Sequence, residues 1–322
     1  MTTLWPYILM IIGFALLIKG ADIFVAGAAS VAHRLRISDL AIGLTVVAFG
    51  TSAPELFVNL VAGIRGNTDI AIGNILGSNI ANTLLILGIA AVIRPLSVAR
   101  GTVWREIPFS LLAAIVLGLM ANDRLINHRE FSDISRSDGL VLLCFFMIFL
   151  YYAFTAANGI EGPAQQVPAK TCGLPGAATR LVLGLVGLSL GGRWIVSGAV
   201  VAADHFGMSQ SVVGLTVVAV GTSLPELATS AAAAYRGKVE IAVGNVVGSN
   251  IFNIFFVLGT TATITPLPFK IESNIDLGMT VFTGLLLFGF MFSGRKGLVD
   301  RWEGVVALLL YAAYIGYRII GQ

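Results

Sequence analysis

Two short segments carry the residue types best suited to chemistry. Residues 50–56 read Gly-Thr-Ser-Ala-Pro-Glu-Leu, and residues 221–227 read Gly-Thr-Ser-Leu-Pro-Glu-Leu. Each places a carboxylate, Glu55 or Glu226, in the middle of an apolar run. A charge at the centre of a bilayer costs at least about 3 kcal/mol on insertion scales, so an acid there is a functional hypothesis by default. The cost is tolerable where the acid faces the protein interior and is neutralised. No Lys or Arg lies within helical reach in the same runs, which leaves a bound metal ion or a proton as the partner. Pro54 and Pro225 add a second feature. A proline inside a helix removes one backbone hydrogen bond and crowds the carbonyl four residues earlier, here that of Gly50 or Gly221, with those of Thr51 and Thr222 close by. Freed carbonyls at membrane depth are tolerated only where they line a cavity or hold an ion. Thr51 and Ser52 stand four and three residues before Glu55, so a continuous helix would put their hydroxyls on its face.

A second motif follows each of the first. Residues 73–82 read Gly-Asn-Ile-Leu-Gly-Ser-Asn-Ile-Ala-Asn, and residues 244–253 read Gly-Asn-Val-Val-Gly-Ser-Asn-Ile-Phe-Asn. Ser78 with Asn82, and Ser249 with Asn253, are i,i+4 pairs on one helix face. Small residues four apart (Gly73 and Gly77; Gly244 and Gly248) let helices approach closely. The combined donor set is oxygen throughout: two carboxylates, hydroxyls, amides and carbonyls. Ca²⁺ takes six to eight such ligands in flexible geometry. Zn²⁺ or Cu would want imidazole or thiolate, and His33, His128 and His205 fall in loops or at span ends. A charge of −2 neutralises one Ca²⁺ or two Na⁺, so one site can hold either.

The surrounding chain must supply membrane helices to position these groups. Of 322 residues, 57% are hydrophobic and 11% charged, against about a quarter charged in a soluble domain; the mean hydropathy is +0.89. Apolar stretches predict ten helical spans, at about 4–30, 38–64, 69–93, 106–121, 138–157, 178–202, 209–235, 240–264, 275–292 and 302–319. The first lacks a basic leader and is too long for a signal peptide, so it reads as a retained span. Residues 1–157 form a first half, 158–177 a polar linker and 178–322 a second half. Cys144 and Cys172 form no disulfide framework or metal motif. The net charge of +3 is spread singly between apolar runs, which excludes a nucleic-acid surface. Counting Lys and Arg over alternate loops gives 12 on one side and 6 on the other. The richer side is expected to be cytoplasmic, with both termini outside.

The chain also repeats itself. Residues 43–88 align without a gap on residues 214–259, at an offset of 171, with 26 of 46 positions identical. Gly20 and Gly27 match Gly191 and Gly198 more weakly. Five spans per half is an odd number, so the second half enters the membrane from the opposite side. The expected architecture is all-α and polytopic, a five-plus-five inverted-topology repeat, with ion sites at the midplane where the repeats meet.

The paired Gly-Thr-Ser-x-Pro-Glu and Gly-Ser-Asn-Ile-x-Asn segments resemble the α-repeats of the sodium/calcium exchanger family, and the five-plus-five layout extends the resemblance over nearly the whole chain. The resemblance implies a Ca²⁺ site at Glu55, Glu226, Thr51 and Thr222. It also implies Na⁺ sites adding Ala48, Ser52, Ser78, Ala219, Ser223 and Ser249, with Asn82 and Asn253 near the centre. Prokaryotic and potassium-dependent relatives often carry Asp where this chain has Asn253, which weighs against K⁺ co-transport. The Gly-Thr-Ser-x-Pro-Glu form favours Na⁺ over H⁺.

Plainer readings compete at several positions. A lone buried Glu could be a protonated structural residue, but duplication with its whole motif argues against that. Asn74 and Asn245 are either ligands or interhelical hydrogen-bonding groups. Asn79 and Asn250 lie off the Ser/Asn face and read as structural. Lys19 and Asp22 could pair with each other or reach the interface, and Asn59 could line an access path. Trp5, Trp104 and Trp302 suit interfacial anchors. An intramembrane hydrolase using Ser52 or Ser78 would need a nearby base, and no span centre holds a His. A channel pore is more naturally built from symmetric subunits. The reading that emerges is a non-enzymatic antiporter without cofactors, exchanging Na⁺ for Ca²⁺ by alternating access, among membrane lipids, with a monomer compatible with this design. H⁺/Ca²⁺ exchange or K⁺-dependent exchange on the same scaffold is the alternative. The first span of each half is the expected sliding element.

Overall fold

The computed structural model describes residues 4–35, 37–126, 128, 130–158, 173–205 and 219–320. Most of the expected linker, Cys172, and the start of the expected span 209–235 lie outside the described residues. Apart from a single helical turn at Asp123–Ile126, the helices are α1 (Trp5–Leu35), α2 (Asp39–Thr51), α3 (Ala53–Ile64), α4 (Thr68–Ile93), α5 (Arg100–Met120), α6 (Arg136–Asn158), α7 (Leu174–His205), α8 (Ala219–Thr222), α9 (Leu224–Tyr235), α10 (Val239–Ile264), α11 (Ser273–Phe290) and α12 (Arg301–Ile320). Among the described residues eight are long and apolar enough to cross a membrane, and α2 with α3, bent by 43°, make a ninth. The elements recur at the sequence offset: α3 becomes α9 and α4 becomes α10 with the same bounds shifted by 171 residues. The turns repeat too. Gly66 and Gly237 follow α3 and α9 with φ of +77° and +76°, the left-handed conformation that closes a helix and that glycine adopts without strain.

Helix α5 begins six residues before the expected start. Arg100–Trp104 is already helical, and Thr102 and Val103 are buried in it. A basic residue heads this turn, so hydropathy alone places the boundary too late.

Four two-residue strands tie the loops together: β1 (Leu96–Ser97), β2 (Asp133–Ile134), β3 (Leu267–Pro268) and β4 (Leu298–Val299). Strand β1 pairs antiparallel with β4, and β2 with β3. Each pair joins loops that the Lys and Arg count assigns to the same side. Helices α4 and α10 are the most buried of the spans. Phe252, Phe255 and Phe256 of α10 stack among Phe146, Phe149 and Phe145 of α6. Large apolar side chains such as Ile11, Phe57, Tyr151 and Leu309 point outward. That inversion of the usual rule suits a lipid surrounding.

Helices α1 and α7 form a closely packed pair. A Cβ on Gly184 would lie 2.6 Å from Phe24 Cβ, one on Gly20 would lie 2.8 Å from the Leu188 backbone, and one on Gly191 would lie 2.7 Å from the Leu17 backbone. The backbones touch because glycine presents no side chain. In lipid such close packing replaces the hydrophobic driving force. Gly184→Leu should therefore lower the thermal unfolding midpoint in detergent, by an overpacking cost of about 1–3 kcal/mol. Gly278→Ala, whose added methyl meets nothing within 4 Å, should keep the wild-type midpoint.

Of the two readings for Lys19 and Asp22, mutual pairing does not hold for Asp22. Asp22 bonds Arg236, 2.9 Å away on the far side of the repeat boundary, rather than Lys19. Helical spacing brought Lys19 and Asp22 near each other, but packing α1 against α9 presents Asp22 to a closer guanidinium. Lys238 likewise bonds Asp39 at 2.8 Å, and Lys270 bonds Asp69 at 2.6 Å.

Candidate cation site

Each Gly-Thr-Ser-x-Pro-Glu segment interrupts its helix. The chain leaves the helix at Ser52 (φ −83°, ψ 3°) and Ser223 (φ −87°, ψ 6°), then re-enters with proline in the first turn. Proline is well placed there, because first-turn N–H groups have no intrahelical acceptor. Each glutamate thus sits in the first turn of the restarted helix, where the positive end of the helix dipole favours negative charge. Both glutamates are buried completely or nearly so, although Phe49 and Phe57 on either side of Glu55 are exposed. The breaks lie against the α1–α7 pair. A Cβ on Gly50 would lie 3.0 Å from Phe24, and one on Gly221 would overlap Val196.

Among the described residues the carboxylates have no basic side chain as partner, and no three His, Cys, Asp or Glu side chains cluster as for a tightly bound metal. Both oxygens of Glu55 and the Oε2 of Glu226 have no hydrogen-bond partner. So do Ser249 Oγ, Asn82 Oδ1 and Asn253 Oδ1. The charges of Glu55 and Glu226 bear on each other, and Ser223 and Thr222 face Glu55. Buried polar atoms are normally satisfied, and an exception needs an explanation. Here the unsatisfied atoms are oxygens, a donor chemistry that fits Na⁺ or Ca²⁺.

The hydroxyls cross between repeats. Ser52 Oγ donates to Glu226 Oε1 at 3.3 Å, and Ser223 Oγ lies 3.2 Å from Ser78 Oγ. Thr51 Oγ1 donates to Asn245 Oδ1 at 3.1 Å, and Thr222 Oγ1 to Asn74 Oδ1 at 3.2 Å. The expectation that Thr51 and Ser52 share the face of Glu55 is therefore corrected: the break at Ser52 voids the i−3 and i−4 relation. Ala48 O accepts the Ser52 N–H at 2.9 Å and closes the last turn of α2. Ala219 lies in the corresponding turn, α8.

Asparagines lock the centre. Asn82 Nδ2 donates to Asn250 Oδ1, and Asn253 Nδ2 to Asn79 Oδ1, both at 3.0 Å. Asn250 Nδ2 donates to Thr83 Oγ1 at 2.9 Å. Asn82 and Asn253 lie in wider π-helical turns, Ala81–Ile86 and Phe252–Leu258, a distortion frequent at functional sites. Asn79 and Asn250 face each other across the repeats, with Asn79 Nδ2 donating to Asn250 O at 3.2 Å. Asn59 is fully buried, donating to Ala71 O at 3.1 Å and accepting from Asn74 at 2.8 Å. Thr83 and the unpartnered buried hydroxyl of Thr229 escape sequence reasoning, because Ile254 and Val58 occupy the matching positions and the repeat gives no signal.

Comparison with known proteins identifies the family. The family model described as sodium/calcium exchanger protein matches residues 5–155 and 177–320. The putative antiporter CaxA of Alkalimonas amylolytica is 38% identical, with 97% of each chain covered. The sodium/calcium exchanger MaX1 of Methanosarcina acetivorans is 32% identical, with 96% of this chain and 97% of the relative covered. The solved structure of the sodium-calcium exchanger NCX_Mj, soaked with Na⁺ and Ca²⁺, superposes with a TM-score of 0.83 at 32% identity, covering 98% of this chain and 99% of that one. With both repeats inside the matched segments, this chain is a membrane antiporter, not an enzyme, and belongs to the sodium/calcium exchanger protein family.

Proposed function

We propose that the protein exchanges Na⁺ for Ca²⁺ by alternating access, at a midplane site formed by Glu55 and Glu226. One observation carries this reading: two repeat-related glutamates are buried together without a basic partner, and most of their oxygens are unsatisfied. A buried charge without compensation costs several kcal/mol, and a cation removes that cost. Thr51, Thr222, Ser52, Ser223, Ser78, Ser249, Asn82, Asn253 and the backbones of Ala48 and Ala219 complete the proposed oxygen set. The names of the relatives, sodium/calcium exchanger among them, favour Na⁺ as the driving ion.

The halves are 1–157 and 178–322, joined by the linker 158–177 and inverted in the membrane. The strand pairs support the inversion. Helix α5 crosses once between β1 and β2, so these lie on opposite faces. Strand β3 pairs with β2 and so lies opposite β1, yet β1 and β3 are repeat-equivalent. Both termini face outside, and the Arg- and Lys-rich loops face the cytoplasm. Helices α1 and α7 touch backbone to backbone and cover both breaks, so they slide as one unit over the site.

Proteoliposomes loaded with Na⁺, with K⁺ or at acidic pH, then offered ⁴⁵Ca²⁺, test the coupling. Uptake driven by the Na⁺ gradient alone is expected. Uptake driven by the proton gradient would move the protein to H⁺/Ca²⁺ exchange on the same scaffold. No uptake under any gradient would rule out Ca²⁺ as the transported ion.

A further inference from the structure

We infer that Asn74 and Asn245 are positioning residues that fix the proton of Thr222 and Thr51, and so hold those hydroxyls ready for a cation. The inference deepens the proposed cation site and rests on it. A threonine hydroxyl has one proton to donate and two lone pairs to offer. Beside a carboxylate its proton goes to the carboxylate by default, because bonds to charged acceptors are the stronger ones. The hydroxyl then competes with the cation for the acid and turns its proton toward the ion. Thr51 has Glu226 as such a neighbour, and Thr222 has Glu55.

The two asparagines remove that option. Asn245 Oδ1 takes the Thr51 proton at 3.1 Å, nearer than the other acceptor, Ala48 O at 3.4 Å, and Asn74 Oδ1 takes the Thr222 proton at 3.2 Å. Each bond crosses from one repeat to the other, so the arrangement is reciprocal. Each carboxamide is itself aimed by its other end. Asn245 Nδ2 donates to Ser230 Oγ at 2.9 Å and approaches Glu226 O at 3.4 Å. Asn74 Nδ2 donates to Asn59 Oδ1 at 2.8 Å, and Asn59 is anchored to Ala71 O at 3.1 Å. Anchoring the amino end leaves the amide oxygen toward the threonine, the arrangement in which outer partners orient metal ligands. Ser230 and Asn59 occupy matching positions in the two repeats, so different residues do the same work.

The competing view is that these asparagines only glue helices together, and double-mutant cycles separate the two. The readouts are the half-saturating Ca²⁺ and Na⁺ concentrations for exchange, with the thermal midpoint recorded alongside. Asn245→Ala should raise the half-saturating Ca²⁺ concentration about tenfold, the lower end for losing an outer partner of a ligand. In a Thr51→Val background the same change should add less than twofold, because the hydroxyl it aims is gone. In a Thr222→Val background it should keep its full tenfold effect. Asn74→Ala should show the mirror pattern, coupled to Thr222 and not to Thr51, and serves if Asn245→Ala fails to fold. Equal factors in matched and mismatched backgrounds would overturn the positioning role while leaving the site intact. Absence of Ca²⁺ exchange in the wild type would instead overturn the site itself.

Discussion

Glu55→Gln and Glu226→Gln should each cut Na⁺-driven ⁴⁵Ca²⁺ uptake by at least about 100-fold, without unfolding the protein. The reason is charge. Two carboxylates neutralise Ca²⁺, and one leaves an uncompensated positive charge in a site that excludes water. At an effective dielectric constant of about 20, unit charges about 4 Å apart interact by about 4 kcal/mol, and a divalent ion doubles this. A net loss of only about 2.7 kcal/mol already amounts to 100-fold. Glutamine keeps the shape and removes the charge, so the metal-free fold should keep its thermal midpoint. A ligand that binds only the native state stabilises it by about 2.7 kcal/mol at 100 times its Kd. The wild type should therefore melt higher in Ca²⁺, and the variants should not. A Gln variant that still exchanges and is still stabilised by Ca²⁺ would remove that carboxylate from the site.

A disulfide between positions 196 and 221 should stop transport completely. In α7 the Val196 Cβ lies 3.4 Å from where a Cβ on Gly221 would stand, close to the 3.5–4.5 Å range of disulfides. Val196→Cys with Gly221→Cys also removes the branched methyl that would crowd a new Cβ. The bond would pin α7 to the break beside Glu226, and thereby the α1–α7 pair to the ion-binding helices. Cys144 and Cys172 are replaced by Ser so that the new thiols pair with each other. Oxidation should abolish exchange, and reduction should restore it. Gly27→Cys with Arg180→Cys is the control. Its Cβ atoms would lie 3.0 Å apart within the α1–α7 pair, so a link there should leave a unit that moves together active. Exchange that persists with the 196–221 link closed would exclude sliding at this contact.

Much of the site is legible along the chain. The apolar runs and the 171-residue repeat are properties of covalent order, and bilayer thickness converts such runs into helices. Glu55 and Glu226 stand out because an acid in such a run needs a reason. The oxygen-only donor set follows from residue type, and Pro54 and Pro225 announce a break. Those features need no knowledge of which helix touches which.

Only the tertiary structure decides what the oxygens touch. Ser52 reaches Glu226 and not Glu55, and Thr51 reaches Asn245, across 174 and 194 residues of chain. Asp22 takes Arg236 in place of Lys19 for the same reason. Helical periodicity ranks neighbours within one helix, and it loses even that reach where the chain breaks at Ser52. The asparagine lock at Asn79, Asn82, Asn250 and Asn253 forms where two repeats meet, and Thr83 joins it without any partner in the repeat pattern. Hydropathy and duplication specify each repeat by itself. The contacts between repeats depend on the angle and depth at which their helices pack, and those are set by the whole bundle at once.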